Sequence, residues 1–393
     1  MNQSELNQLQ NIPLPERYLA AMKLRGWFEE QGLAENALLP SERKLAARLG
    51  VGRSVVRSAL AILAEEQLVK RIQWGRRCQY RWAGSRNEVA DGTNAALASA
   101  VVVITPTPNP NAQHAQPGWV EQMVQGAMHG IRLEGKDILA VHPIRLDPVK
   151  MQRLIQARPL GVLVPEAVML RRQIDALTQS FKAAGLPVVV YGGEASLARY
   201  DRITSDHEAG ARMAVEWMLA NGRRRIAMVW SGNPAQHYWY PARRSGYEKA
   251  MAEAGLSPRP TLLIPEWPDE DITAEVFERR VRQTIGFLME LARDPNRPDA
   301  LLLHTDSAVP CVASALDRWG LVPNRDVWLA GYDNYALEMP ENQFCPWRPM
   351  ITIDKRNWAI GEAMVKLLFE RISGTLPPEP VTRCESPKLV ELE

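Results

Sequence analysis

The sequence has no long apolar run and few cysteines, and both absences narrow the classes of protein to which it can belong. No stretch of 18 apolar residues occurs in the 393-residue chain, so we expect no membrane-spanning helix. The polar stretch from Met1 to Pro15 lacks the apolar centre of a signal peptide. The cysteines are far apart and none has metal-ligand spacing: Cys78, Cys311, Cys345 and Cys384. We therefore expect a protein of the reducing cytoplasm, without disulfides, metal or cofactor.

Motifs of the common enzyme classes are also missing. The chain has no GxGxxG after a first strand, no GxxxxGK[ST], no GxSxG and no HExxH. His207 adjoins Asp206, but neighbouring residues in a chain rarely form a working catalytic dyad. We therefore expect a protein that binds its partners and carries no catalytic residues.

Charge is unevenly distributed although the net charge is only +2. Residues 1–82 carry 13 Lys/Arg against 8 Asp/Glu, whereas the remainder carries 34 against 37. A basic head is typical of a protein with a polyanionic partner, although many solvated surfaces are equally basic. Residues 83–98 are small and polar, which is typical of a linker. The sequence thus predicts a head at 1–82, a linker at 83–98 and a larger domain at 99–393.

The head has the pattern of a winged helix-turn-helix. We expect a first helix over 16–31, a second over 41–49 with Ser41 as its N-cap, and a third over 53–66 after the turn Gly50-Val51-Gly52. Arg53 and Arg57 are four residues apart and therefore project from one side of the third helix. Two strands, 68–72 and 78–82, are expected to flank a basic turn at 74–77.

The segment LPSERKLAARLGVGRSVVRSALAILAEEQLV, residues 39–69, resembles the winged helix of the GntR family. The resemblance implies contacts with double-stranded operator DNA from this set: Arg43, Arg53, Ser54, Arg57, Gly75, Arg76 and Arg77. Arginine suits this role because it binds guanine through two hydrogen bonds and also neutralises phosphate. Two departures stand out, since Gly52 replaces the family's usual Ser or Thr and the wing reads Gly75-Arg76-Arg77-Cys78 instead of GxGT.

Residues 99–393 alternate short apolar runs with amphipathic helical patterns. The runs expected as strands are 101–104, 138–141, 161–164, 188–190, 226–230, 300–303 and 327–330. Such alternation predicts an α/β fold with parallel sheets covered by helices, and the number of units favours two Rossmann-like lobes. Ligands of open parallel sheets bind outside the carboxyl ends of the strands.

Five patterns resemble, in order, the effector-binding domain of the LacI/GalR repressors, which is similar to periplasmic binding proteins. They are ITSDHEAG (203–210), RRSGYEKAMAEAGL (243–256), LLLHTDSAVPCVASALDRWGL (301–321), VWLAGYDN (327–334) and MITIDKRNWAIGEAMVKLLFERISG (350–374). The resemblance implies an effector cleft lined by Trp119, His237, Trp239, Arg243, Trp267, Thr305, Asp306 and Asp333. Where many relatives carry an Asp after the fourth strand, this chain has Tyr191-Gly192-Gly193.

Several of these residues also have an ordinary structural explanation. A tryptophan or histidine in such a loop is equally consistent with core packing, and Asp206 is expected to cap the next helix. Aromatic faces beside a few charged or hydroxyl groups nevertheless suit a polyhydroxylated ring.

The combined resemblance, which is to repressors of the arabinose-repressor type, implies a homodimeric DNA-binding repressor controlled by a sugar-like effector. A transport-type binding protein and an enzyme are the alternatives, and the basic head and the missing motifs favour the regulator.

Overall fold

The computed structural model describes residues 16–31, 33–34, 36–65, 68–74, 77–83, 97–105, 118–141, 148–165, 171–267 and 271–392. The described residues form two units. The first draws on 1–99, 142–159 and 170–180, and the second on 100–141, 160–169 and 181–393. Most of the expected linker, residues 84–96, lies outside the described ranges, so the boundaries at 82/83 and 98/99 stay predictions. No helix in these ranges has the length and hydropathy of a membrane span.

The first unit contains the helix-turn-helix expected from the sequence. Its helices are α1 (Glu16–Glu30), α2 (Glu42–Leu49) and α3 (Arg53–Glu65). The Ser41 hydroxyl accepts a hydrogen bond from the Lys44 amide, and Gly50 ends α2 with φ 68°. That left-handed conformation costs a glycine little, which is why the turn between the two helices can be so short. The core consists mainly of Leu24, Phe28, Leu45, Val56, Leu60, Leu63 and Trp82.

An antiparallel hairpin, β1 (Val69–Trp74) and β2 (Arg77–Trp82), follows α3. Leu38 bridges to Arg81 and adds a short third strand. The hairpin is longer than the sequence predicted, because Trp74 pairs with Arg77 instead of lying in the turn. Aromatic residues favour extended, paired backbone, which suits Trp74. Residues 75–76 lie outside the described ranges. The helix α5 (Pro148–Gln156) also belongs to this unit.

The first sheet of the second unit is parallel throughout. Its strands, in spatial order, are β13 (Thr382–Glu385), β7 (Asp201–Ser205), β6 (Val188–Tyr191), β5 (Gly161–Val164), β3 (Ala100–Ile104) and β4 (Asp137–Val141). Helices of this unit that accompany the sheet are α4 (Gly118–Leu133) and α12 (Asn357–Ile372), whereas residues 171–180 of α6 (Arg171–Ala183) belong to the first unit. The three central strands are buried on both faces, as their continuous apolar runs predict.

The second sheet has the order β14 (Lys388–Glu391), β12 (Ile351–Asp354), β11 (Trp328–Tyr332), β10 (Ala300–Leu303), β8 (Ile226–Ser231) and β9 (Leu262–Ile264). Its helices are α7 (His207–Ala220), α8 (Tyr240–Glu253), α9 (Ala274–Phe287), α10 (Met289–Arg293) and α11 (Val309–Arg318). β14 alone in this sheet runs antiparallel, against β12. The predicted α/β class with two parallel-sheet lobes is confirmed, and β14 is a departure at one edge.

The two lobes are joined by a helix that changes sheets. β12 belongs to the second sheet, but α12, which follows it, packs on the first through Ile360, Met364 and Leu368. Glycines permit this contact, since a Cβ at Gly361 would lie 2.1 Å from the carbonyl oxygen of Met123 in α4. A Cβ at Gly126 would likewise lie 2.1 Å from the carbonyl oxygen of Trp358. α4 and α12 therefore touch through their backbones, and this fixes where the ends of β3 and β12 lie.

Candidate DNA-binding and effector sites

The basic side chains predicted to contact DNA lie at the starts of α2 and α3. Arg43 is in the first turn of α2, and Arg53, Ser54 and Arg57 are in the first two turns of α3; all four are exposed. Arg77 begins β2, while Gly75 and Arg76 lie outside the described residues. An exposed helix start with two arginines four residues apart has the geometry needed to enter the major groove.

Arg57 is held by an acidic residue, Glu42, which was not among the predicted DNA-contacting residues. Its Nε and Nη2 donate to the two carboxylate oxygens of Glu42 at 3.1 and 2.9 Å. The hydrogen bond from Arg57 lowers the pKa of Glu42, and the charges of Arg53 and Arg71 act in the same direction. Because a planar guanidinium loses rotational freedom in such a pair, Arg57 is already oriented before any base is met. Glu42 stands between Ser41 and Arg43 in the quoted motif, so its position was visible in the sequence although its role was not.

The second site lies where strands of the second sheet end. Arg243 is in the first turn of α8, while Asp333 follows β11 and Lys355 follows β12. Nζ of Lys355 is 2.9 Å from Oδ1 of Asp333, and Nη2 of Arg243 is 3.7 Å from the same oxygen. The side chains of all three are at most 5% exposed. Arg243 and Asp333, two of the residues predicted to line the effector cleft, therefore lie together at the strand ends. Lys355, which was not among the predicted residues, lies beside them.

Arg243 is fixed from several sides. Its guanidinium lies 3.4 Å from the centroid of the Tyr332 ring, and Nη1 donates to the carbonyl oxygen of His304. Nε and Nη2 each lie 3.4 Å from Nδ1 of His207. Burial, reinforced by the charges of Arg243 and Lys355, holds the pKa of His207 well below its ordinary value. The imidazole is therefore neutral, and since arginine can only donate, its single proton resides on Nε2.

Lys355 is one of the residues that connect the two lobes at this point. Its Nζ lies 3.9 Å from the ring centroid of Trp119, a residue in the first turn of α4. The same Nζ lies 5.9 Å from the ring centroid of Tyr191, at the end of β6. The Tyr191 hydroxyl is 2.9 Å from the Ser205 hydroxyl. The sequence signal for Lys355 was its position directly after an apolar strand, ITID, at the same edge as the other candidates.

An aromatic cluster covers the end of β8. His237 stacks on Trp239 with ring centroids 4.9 Å apart, and Nε1 of Trp230 donates to Nδ1 of His237 at 2.9 Å. Between them, Tyr238 reaches the first lobe, because a Cβ at Gly193 would lie 2.8 Å from its Cε2. The Gly192-Gly193 departure noted in the sequence is thus the surface on which Tyr238 rests.

The side chains of Thr305 and Asp306 contact residues of the loop after β11 and of β12. The Asp306 carboxylate is fully buried and accepts hydrogen bonds from the amides of Tyr335 and Ala336 and from the Thr352 hydroxyl. Burial raises its pKa to about 7. The Thr305 hydroxyl lies 2.6 Å from that of Tyr335. Both residues brace the loop after β11, and direct contact of either with an effector stays a prediction.

Trp267 lies in a different environment from the Arg243 group. It packs against the apolar cluster of α9 and α11, and the guanidinium of Arg280 lies 5.6 Å from its ring centroid. Its proposed place in the effector site stays a prediction. Asp206, in contrast, caps α7 as expected, because its Oδ1 accepts from the Ala209 amide at 2.9 Å.

Two segments match known families. Residues 19–76 match the family described as bacterial regulatory proteins, gntR family, and residues 215–392 match the periplasmic binding protein-like domain. The HTH-type transcriptional repressor PurR of Glaesserella parasuis serovar 5 (strain SH0165) is 28% identical over 249 residues, 61% of this chain and 64% of the relative. The chain thus spans less than two thirds of the length of this curated relative.

Solved structures share the fold at low identity. A transcriptional regulator CelR–cellobiose complex has a TM-score of 0.54 at 19% identity, covering 90% of this chain and 98% of that one. A periplasmic binding protein/LacI transcriptional regulator from Alkaliphilus metalliredigens QYMF, complexed with D-xylulofuranose, has a TM-score of 0.52 at 17% identity, covering 75% and 97%. These likenesses concern the fold.

Proposed function

We propose that this chain, which joins a GntR-type helix-turn-helix to a periplasmic-binding-protein-like domain, is a sequence-specific transcriptional repressor controlled by a small-molecule effector. The observation that carries the proposal is the coexistence, in one chain, of an oriented arginine on α3 and a buried, charged site at the strand ends. The first suits base recognition, and the second suits a small polar ligand.

In the proposed complex, α3 enters the major groove of operator DNA. Arg57, oriented by Glu42, reads a guanine edge, while Arg43, Arg53 and Ser54 contact bases or phosphates near the helix start. The basic wing at 75–77 adds phosphate or minor-groove contacts. Operators read by such domains are commonly two-fold symmetric, so we propose that the chain acts as a homodimer in the cytoplasm, without catalytic activity or membrane partner.

The effector is proposed to bind beside Arg243 and Asp333, with Trp119, His237 and Trp239 supplying aromatic faces. Cellobiose and D-xylulofuranose are ligands of proteins with this fold, which supports a carbohydrate as the effector class. Both lobes contribute to the surrounding contacts, through Lys355 with Trp119 and through Tyr238 with Gly193. A ligand that strengthens or breaks these contacts changes the relation of the lobes, and the change in lobe arrangement alters the spacing of the two DNA-binding heads in a dimer.

The test begins with selection of duplexes from a random DNA library by the full-length protein. Enrichment of one motif, preferably with two-fold symmetry, is the expected outcome. The selected duplex is then used to screen sugars, sugar acids, polyols, sugar phosphates and purines for a change in DNA affinity. Failure to enrich any motif contradicts the DNA-binding proposal, and enrichment that no small molecule affects contradicts the effector control.

A further inference from the structure

In the first lobe, β6 is followed by two consecutive glycines, which form a strip of backbone without side chains. Gly192 has φ 145°, which a residue with a side chain rarely adopts, and a Cβ there would lie 2.7 Å from Cδ1 of Leu197. Gly193 does not have a positive φ, so its backbone would accept an alanine. A residue of the second lobe is the obstacle, because a Cβ at Gly193 would lie 2.8 Å from Cε2 and 3.3 Å from Cδ2 of Tyr238. The ring of Tyr238 therefore rests where Gly193 lacks a side chain.

The same ring also contacts side chains of the proposed effector site. Tyr238 and Trp239 lie edge to face, with ring centroids 5.0 Å apart and an interplanar angle of 85°. Tyr238 and His207 are arranged in the same way, at 6.1 Å and 72°, and His207 accepts a hydrogen bond from Arg243. Edge-to-face pairs are favourable and restrict the orientation of both rings. Tyr238 thus connects the effector site of the second lobe with the backbone of the first.

The loop that carries Tyr238 makes its position depend on that site. Residues 232–239 connect β8 to α8, and the Tyr240 amide donates to the carbonyl oxygen of His237, so the end of the loop forms a tight turn. His237 and Trp239, the chain neighbours of Tyr238, stack on each other. A ligand that displaces either neighbour also moves Tyr238, because the three residues are consecutive in one short turn.

We infer that Tyr238 is a positioning residue: by resting on Gly193 it holds the two lobes in one arrangement and thereby sets the spacing of the two DNA-binding heads in a dimer. The inference rests on the proposed function, because it concerns how the effector site controls DNA binding. Loss of the ring, or a methyl group placed under it, releases the same contact. Both changes therefore shift operator affinity in the same direction.

The contact itself is tested by a double-mutant cycle on the full-length protein. The proteins are wild type, Gly193→Ala, Tyr238→Ala and the double variant, compared by urea denaturation. Gly193→Ala should be less favourable where the ring is present than in the Tyr238→Ala background, where the new methyl group meets no ring. Gly286→Ala is the matched control, because this exposed glycine of α9 has no neighbour within 4 Å of its Cβ position. Additive changes for Gly193→Ala and Tyr238→Ala would show that the two residues do not touch, and would overturn the inference.

The control of DNA binding is tested with two duplexes, the selected two-fold operator and a single half-site, by fluorescence anisotropy. Gly193→Ala and Tyr238→Ala should each change affinity for the two-fold operator by about fivefold or more, and in the same direction. Their affinity for the half-site should equal that of wild type, because one head binds it and spacing is irrelevant. The double variant should match Tyr238→Ala. Tyr238→Phe, which keeps the ring, and Gly286→Ala should match wild type.

Several results would overturn the inference and leave the proposed regulator standing. They are unchanged operator affinity in Gly193→Ala and Tyr238→Ala, shifts of opposite direction, and equal losses for operator and half-site, which would indicate damage to the heads. A Tyr238→Phe variant that behaves like Tyr238→Ala would assign the effect to the hydroxyl and overturn the contact of the ring with Gly193. Failure of the selection to enrich any motif contradicts the proposed regulator, and with it this inference.

Discussion

Replacement of Arg57 by alanine separates DNA recognition from folding, because the structure places this side chain at the surface. The side chain is 63% exposed and its described ion pair is with Glu42. An exposed ion pair contributes about 0.2–1 kcal/mol to folding stability. Arg57→Ala should therefore change the free energy of unfolding by less than about 1 kcal/mol.

The effect on DNA binding should be larger. A bidentate arginine–guanine contact is worth about 1–3 kcal/mol, so affinity for the selected operator should fall by roughly 5- to 150-fold. The loss should be confined to operators with the recognised guanine, and discrimination at that base pair should relax. Arg57→Lys should keep the positive charge but lose the planar guanidinium that forms two hydrogen bonds with guanine. It should therefore recover part of the affinity but little of the discrimination between base pairs. Glu42→Gln should fall between wild type and Arg57→Ala in discrimination, because Arg57 loses its orienting partner.

Fluorescence anisotropy with the operator and single-base variants, at several salt concentrations, measures these quantities. Arg212→Ala is the matched control, since this arginine on α7 is also exposed and paired with glutamates, Glu216 and Glu253, but lies outside the head. Binding by wild type should weaken steeply with added salt. Unchanged operator affinity in Arg57→Ala, with the fold intact, would refute the assigned role of this side chain.

Three further changes test the second unit. Arg243→Ala should leave operator affinity intact but abolish the effector response, and a normal response, read as effector-dependent anisotropy, would remove Arg243 from the effector site. Stability should fall as the pH drops below about 6.5, because burial depresses the pKa of His207 in the folded protein while the unfolded chain takes up the proton. If the urea denaturation of a His207→Gln variant keeps the full wild-type dependence on pH, this histidine is excluded as the cause. Gly361→Ala should lower the free energy of unfolding by about 3 kcal/mol, because its Cβ would meet the Met123 carbonyl oxygen. Gly374→Ala is the control, because it tests only the left-handed φ of 71° at a helix end. Equal urea midpoints for Gly361→Ala and wild type would show that α4 and α12 can move apart.

Local patterns in the sequence determined most of the elements. The seven apolar runs of residues 99–393 are strands, and the helix-turn-helix was readable because Ser41 caps α2 and Gly50 ends it. The short, polar strands at the sheet edges could not be predicted from such local patterns. β13 and β14 alternate exposed and half-buried residues and lack an apolar run, so their pairing depends on neighbours distant in the chain.

Only the tertiary structure decided which side chains act together. Arg243 and Asp333 were expected at one edge because parallel strands end together, but Lys355 reaches Trp119 only because α12 crosses to the first sheet on Gly126 and Gly361. In the same way, Glu42 and Arg57 are 15 positions apart and meet because a tight turn folds α3 against α2. Spacing along a chain determines the periodicity of a helix or strand, which is local. Charge balance in a buried site depends on distances between separate elements, and those distances are set by the packing of backbones that no single segment encodes.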